Sequence, residues 1–214
     1  MSEKEAAENT GDNRIEPARS RESNILRRME LVDEVPNRRV LESVMLLAVE
    51  IAREGREGRK VGTMFVVFDS DETLKRSQAM ILDPLWHHES QYKRITDPNL
   101  RETIKELAQL DGAFIVRKDG VVLSACRYIN ATSEGITLPM GLGSRHMAGA
   151  SISKQTGAVA VVVSESSMVR VFQNGEIVAE IVPEAYLMHW REQQPGTEDG
   201  VHSGNHSMTE DPES

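Results

Sequence analysis

The chain has a single cysteine, no long uncharged apolar run, and no excess of basic charge. Each shortage removes a class of protein. Cys126 has no partner for an intrachain disulfide. It sits in the apolar run 121–126, where it reads as a small buried hydrophobe suited to a reducing compartment. A bilayer-spanning helix takes about 20 consecutive apolar residues, and no stretch here approaches that. Residues 1–22 contain no apolar core and no charged-then-hydrophobic signal pattern. The expectation is a cytoplasmic protein without a membrane segment.

The formal charge of −9 belongs mostly to the ends of the chain. Residues 1–22 hold six acidic and four basic side chains, and residues 192–214 hold six acidic and none basic, so the stretch between carries only −1. A near-neutral middle lacks the basic face that a large nucleic-acid footprint requires. The two ends are rich in Glu, Ser, Gly, Asn and Pro and have too little apolar surface to offset the entropy of ordering. They are expected to be a disordered N-terminal tail (1–22) and a disordered acidic C-terminal tail (192–214). Between them, 23–191 has the size and apolar content for one substantial core.

Periodicity divides that middle. A short amphipathic helix over about 24–35 carries Ile25, Leu26, Met29 and Val32 on one face. A longer helix begins at Pro36-Asn37 and ends at Gly55, with Val40, Leu41, Val44, Met45, Leu47, Ala48 and Ile51 on its buried side. The loop 53–60 interleaves glutamates with its basic residues and lacks aromatics, which favours a solvated connection over a nucleic-acid patch. The uninterrupted apolar run 63–68 predicts a central strand covered on both faces. A short helix is expected over 71–80. Irregular chain follows to Thr96, where the adjacent His87 and His88 point apart and have no third ligand at a recognisable spacing. Asp97-Pro98 then caps a helix that buries Leu100, Ile104, Leu107 and Ala108.

Asp119-Gly120 and Asn174-Gly175 each join two strand-like runs and predict hairpins. Asp111-Gly112 follows a helix instead. Asp111 is therefore left as a carboxylate at the lip of a strand, suited to a divalent cation or to accepting a hydroxyl proton. Further on, Gly141-Leu142-Gly143-Ser144-Arg145-His146 leads into a helix to Gln155, then Thr156-Gly157 and an apolar strand ending at Ser164-Glu165. Flexible glycines before a helix N-terminus, followed by a guanidinium fork and an imidazole that titrates near neutral pH, read as a phosphate site. Taken alone, the same run also reads as an ordinary loop and cap beside a solvated face. The element order predicts one α/β domain with a mixed-strand central sheet flanked by helices.

Together the two stretches resemble the diadenylate cyclase domain, the nucleotide-binding domain of the DisA type, as found in stand-alone archaeal proteins. That family carries an Asp-Gly-Ala motif and an Arg-His-Arg motif preceded by Gly and a small hydroxylic residue. They stand here as Asp111-Gly112-Ala113 and Gly143-Ser144-Arg145-His146-Met147. The resemblance implies condensation of two ATP into cyclic di-AMP across a face-to-face pair of domains, with a divalent metal (Mg, Mn or Co). By the same resemblance Asp111 is catalytic and holds the metal, with Arg145 and His146 also catalytic. Gly112, Ala113, Gly143, Ser144, Arg145, His146, Ser164 and Glu165 bind nucleotide, and the loop from Ile129 to Leu138 meets the adenine.

Two positions depart from the pattern. Met147 stands where the bacterial motif has its second Arg, removing one cationic contact, and Leu110 stands where some relatives place a histidine. An idle nucleotide-binding or sensing module of the same fold is the alternative. The intact Asp111 and Arg145-His146 argue against it, because binding alone needs no carboxylate at the hydroxyl.

Overall fold

The computed structural model describes residues 38–193. The helix expected over 24–35, the start of the next at Pro36-Asn37, and the tails outside these bounds lie beyond the described residues. Helix α1 (Arg38–Glu54) buries all seven apolar positions read from the sequence, and Val49 and Ala52 as well. Strand β1 (Thr63–Phe68) follows and is buried at every position.

Helix α2 (Ser70–Lys75) is shorter than expected. Its predicted second half is instead strand β2 (Ser77–Ala79). A 3-10 turn (Ser90–Tyr92) interrupts the irregular stretch before α3 (Pro98–Leu107), where the Asp97 carboxylate accepts from the N–H groups of Asn99 and Leu100 at 2.8 and 3.0 Å. Strands β3 (Ala113–Arg117) and β4 (Val122–Ile129) form the first hairpin; β4 runs three residues past the predicted end at 126. After a loop come α4 (Ser144–Gln155), β5 (Val159–Val163), and the second hairpin of β6 (Val169–Gln173) and β7 (Glu176–Ile181). Helix α5 (Pro183–Gln193), which the sequence reading did not separate from its surroundings, carries the chain to Gln193, two residues into the stretch expected as a tail.

The seven strands form one sheet in the order β2-β4-β3-β1-β5-β6-β7. Strand β1 is its centre, as the unbroken apolar run predicts. Only β1 and β3 are parallel, so the sheet is mixed. Alternation along β1 feeds two cores. Phe65 and Val67 face α1 with Phe114, Val161 and Val171, whereas Met64 and Val66 face the α4 side with Ile115, Val162, Ile152 and Phe172. Phe65 stacks on Phe114 with ring centroids 5.1 Å apart. Cys126 is buried in the first core, as its apolar neighbours predict.

Candidate functional site

Topology brings the candidate residues to one edge of the sheet. Strands β1 and β3 run parallel in the register Met64 to Ala113, so the chain enters both from the same side. Strand β5 is antiparallel to β1, pairing Thr63 with Val163, and ends on that side. Gly62, Asp111 and Ser164-Glu165 therefore share an edge although they are remote in sequence. Helix α4 starts beside them and completes the group.

Arg145, in the first turn of α4, ties these pieces together. Its guanidinium donates to Glu165 Oε1 at 3.0 Å and to Asp111 Oδ1 at 3.4 Å. Gly62 leaves room for it: a Cβ there would stand 2.7 Å from Arg145 Nη1 and 3.1 Å from Glu165 Cγ. Exposure separates the partners, since the side chain of Asp111 is 82% exposed, that of Glu165 67% and that of Arg145 35%.

Gly112 sets the position of Asp111. Its φ of +105° is open to glycine alone at low cost, and a Cβ would fall 2.6 Å from the backbone carbon of Cys126. Cys126 lies in the irregular register between β3 and β4 and itself has a φ of 53°. The glycine thus answers to packing across this hairpin. Ala113 is fully buried and points into the core on the α4 side.

Beside Asp111 opens a cleft of about 420 Å³, lined by 140–146, 163–166 and Arg170. Gly141, with a φ of +92°, is a bend only glycine takes readily. Gly143, in contrast, caps α4 at a φ of −83° that any residue adopts, so the expected glycine bend applies to Gly141 alone. At the positive end of α4 the His146 and Met147 N–H groups donate to the Gly143 carbonyl at 3.1 and 3.3 Å, which leaves those of Ser144 and Arg145 without an acceptor among the described residues. Ser164 Oγ pairs with Ser166 Oγ at 2.9 Å and accepts from the Ser166 N–H at 3.3 Å.

His146 departs from its expected role. It is 6% exposed, packs edge-on against Phe172, and its Nε2 lies 3.2 Å from Arg170 Nη1. A guanidinium only donates, so Nε2 accepts and the neutral ring carries its proton on Nδ1. Burial lowers its pKa from the ordinary 6.5, and the charges of Arg170 and Arg145 push the same way against Glu180. The imidazole is held neutral, where the sequence suggested a titrating donor. Nδ1 is buried without a partner among the described residues.

The loop after β4 is tied to α4. The Thr132 N–H donates to Ser151 Oγ at 2.9 Å, Lys154 Nζ donates to the Gly135 carbonyl, and Ile136 and Leu138 pack on the α4-side core. Met147 is half-buried and does not line the cleft.

Residues 50–177 match the family model described as DisA bacterial checkpoint controller nucleotide-binding. The chain belongs to this family. Two curated relatives, both named diadenylate cyclase, extend the match. One from Methanocaldococcus jannaschii is 46% identical over 160 residues, which are 74% of this chain and 50% of that protein. One from Haloferax volcanii is 38% identical over 148 residues, 69% of this chain and 54% of that protein. The chain therefore spans about half the length of these relatives. A crystal structure of a hypothetical membrane spanning protein from Bacillus cereus shares the fold, with a TM-score of 0.55 at 18% identity over 74% of this chain and 72% of that one. In this chain itself, no helix among the described residues is long and apolar enough to cross a membrane.

Measured against this nucleotide-binding family's two motifs, the structure adds Gly62, Ser166 and Arg170. Arg170 was legible in principle. In the strand Val169-Arg170-Val171-Phe172 it takes the same face as the fully buried Phe172, a charge where alternation predicts an apolar residue.

Proposed function

We propose that this domain joins two ATP into cyclic di-AMP, releasing two pyrophosphates. The observation that carries the reading is the bridge from Arg145 to both Asp111 and Glu165. It puts the strand-lip carboxylate and the cleft at the start of α4 within one side chain's reach. In each of two equivalent steps a ribose 3′-oxygen bonds to the α-phosphorus of the other nucleotide, the bond from that phosphorus to the bridging oxygen breaks, and pyrophosphate leaves. The hydroxyl proton is lost as the new bond forms.

Such a reaction depends on in-line positioning and on fixed donors around the phosphates. Ser144, Arg145 and the N–H groups opening α4 supply the donors, and Ser164, Glu165 and Gly143 border the pocket. Nothing lies within 4 Å of where a Gly143 Cβ would stand, so the space beside the start of α4 is open. Gly112 and Ala113 act through the backbone that holds Asp111 in place. His146 is a neutral part of the cleft wall that steadies the first turn of α4. The loop 129–138 borders the adenine.

The donor set bears on the metal. No group of three or more His, Cys, Asp or Glu side chains is placed to hold an ion among the described residues. Two exposed carboxylates fit a hard cation such as Mg²⁺ or Mn²⁺, which takes one or two carboxylates and completes its shell with substrate phosphates and water. Asp111 would hold it, and when bound it would lower the pKa of the attacking hydroxyl and offset charge on the phosphates.

The sequence offers one phosphate cradle and one Asp-Gly-Ala, whereas the product joins two nucleotides symmetrically. The reading therefore includes a two-fold, face-to-face pair in which identical surfaces meet. Incubating purified protein with ATP and Mg²⁺, Mn²⁺ or Co²⁺ tests it. Mass spectrometry should detect cyclic di-AMP and pyrophosphate; ATP binding with no product under any of the three ions would leave only a nucleotide-binding module.

A further inference from the structure

Arg170 lines the cleft from a strand that carries neither family motif. Its side chain is 14% exposed and largely fixed. Nε donates to Glu180 Oε1 at 2.6 Å, and Nη1 meets His146 Nε2 at 3.2 Å. A guanidinium has five N–H groups. Those two contacts occupy two, leaving three without a hydrogen-bond partner among the described residues. A half-buried cation anchored at its stem, with unsatisfied donors beside a cleft, is pre-organised for an anion, because little rotamer entropy is left to lose on binding.

The surroundings point the same way. Arg145 is engaged by two carboxylates, whereas Arg170 meets one carboxylate and a neutral ring. Met147 places no charge in the cleft, so Arg170 is its second cation. Strand register explains how it arrives there: Arg170 pairs with Val162, the last but one residue of β5, which Val163 and Ser164 of the cleft wall follow directly.

We propose that Arg170 is a phosphate-contacting residue of this cleft, donating its free N–H groups to the nucleotide's phosphates while its bond to His146 keeps that ring neutral and oriented. The inference rests on the reading of the cleft as a triphosphate site. It adds a specificity-determining residue for charge on the ligand, one the motifs do not contain.

The test compares ATP and adenosine binding to wild type, Arg170→Gln and Arg170→Lys, by calorimetry for ATP and by NMR shift perturbation for adenosine. Losing charge-assisted contacts to phosphate weakens ATP by roughly 10- to 100-fold. Adenosine binding should stay within about twofold, and Arg170→Lys should recover part of the loss as a point charge without the fork. A second measurement needs no variant. In wild-type protein the Arg170 Nε–H resonance and the His146 ring nitrogens should shift with ATP and stay still with adenosine. Unchanged ATP affinity in Arg170→Gln, a parallel loss of adenosine, or unmoved Arg170 and His146 signals in ATP-saturated wild type would each overturn the proposal. Wild type that binds no ATP would instead bring down the triphosphate reading itself, a result seen before any variant is made.

Discussion

Arg145 stands between two surfaces of opposite character. On one side is the lip of β3, where the Asp111 side chain is 82% exposed and, among the described residues, hydrogen-bonds only to Arg145 at 3.4 Å. On the other is the cleft, walled by a 6% exposed His146 and an Arg170 side chain at 14%, with ring nitrogen, guanidinium and Glu180 in one chain of hydrogen bonds. Under the proposed function the enclosed surface holds and the exposed one reacts. The cleft's donors are fixed before any ligand arrives, which is what binding phosphate requires. The lip presents a carboxylate outward to solvent, which is what the proposed face-to-face pairing requires.

The largest effect should come from the lip. Asp111→Asn is expected to lower turnover by roughly a thousandfold. It should move stability by no more than about 0.5 kcal/mol, because an exposed side chain is replaced by one of the same shape. Steady-state product analysis beside a thermal melt checks both halves. Near-normal turnover in a folded variant would erase the distinction between the surfaces.

Gly112→Ala attacks the same lip through its support. The new methyl would meet the Cys126 backbone at 2.6 Å in a conformation with φ of +105°. The expected cost is about 2–4 kcal/mol of folding stability, from combined overpacking and backbone strain. Denaturant titration measures it. A change under 1 kcal/mol would show that the hairpin yields easily and does not fix Asp111.

On the binding side, Arg145→Ala should weaken ATP by about 1.5–3 kcal/mol. Calorimetry on this variant and on Asp111→Asn sharpens the comparison. Most ATP affinity should survive loss of the carboxylate and fall with loss of the guanidinium.

The smallest effect is a pH dependence on the enclosed side. Burial, Arg170 and Arg145 lower the His146 pKa below 6.5, with Glu180 opposing. Below pH 6.5 the unfolded chain takes up a proton there that the folded chain resists, so stability falls as pH drops through that value. Above it both states are neutral at this ring and the contribution vanishes. His146→Asn should flatten the loss between pH 7 and 5.5, compared with wild type by denaturant midpoint. An equally steep loss in the variant would mean the ring is not held neutral.

Much of this was legible in the sequence where short-range rules govern. The α1 face, the central β1, the Asp97 cap and both hairpin turns depend on periodicity or local turn chemistry. The lip and the start of α4 were visible for the same reason, each being a break between elements. What escaped depends on partners remote in sequence. Strand β2 is three residues, Ser77-Gln78-Ala79, whose extended form comes from pairing with β4. Helix α5 leaves Met188 exposed while Tyr186 and Leu187 pack on the core, a weak pattern in sequence. The demand on Gly112 comes from Cys126, and the neutrality of His146 comes from burial and Arg170; neither neighbour is local.

The central claim is that the outward-facing carboxylate works across a pair of molecules. It is tested most directly by the specific activity for cyclic di-AMP formation as a function of protein concentration, with light scattering on the same samples. Activity per subunit is predicted to rise with concentration and reach a plateau as pairs form. Constant specific activity down to the nanomolar range in a sample that scatters as a monomer would contradict it.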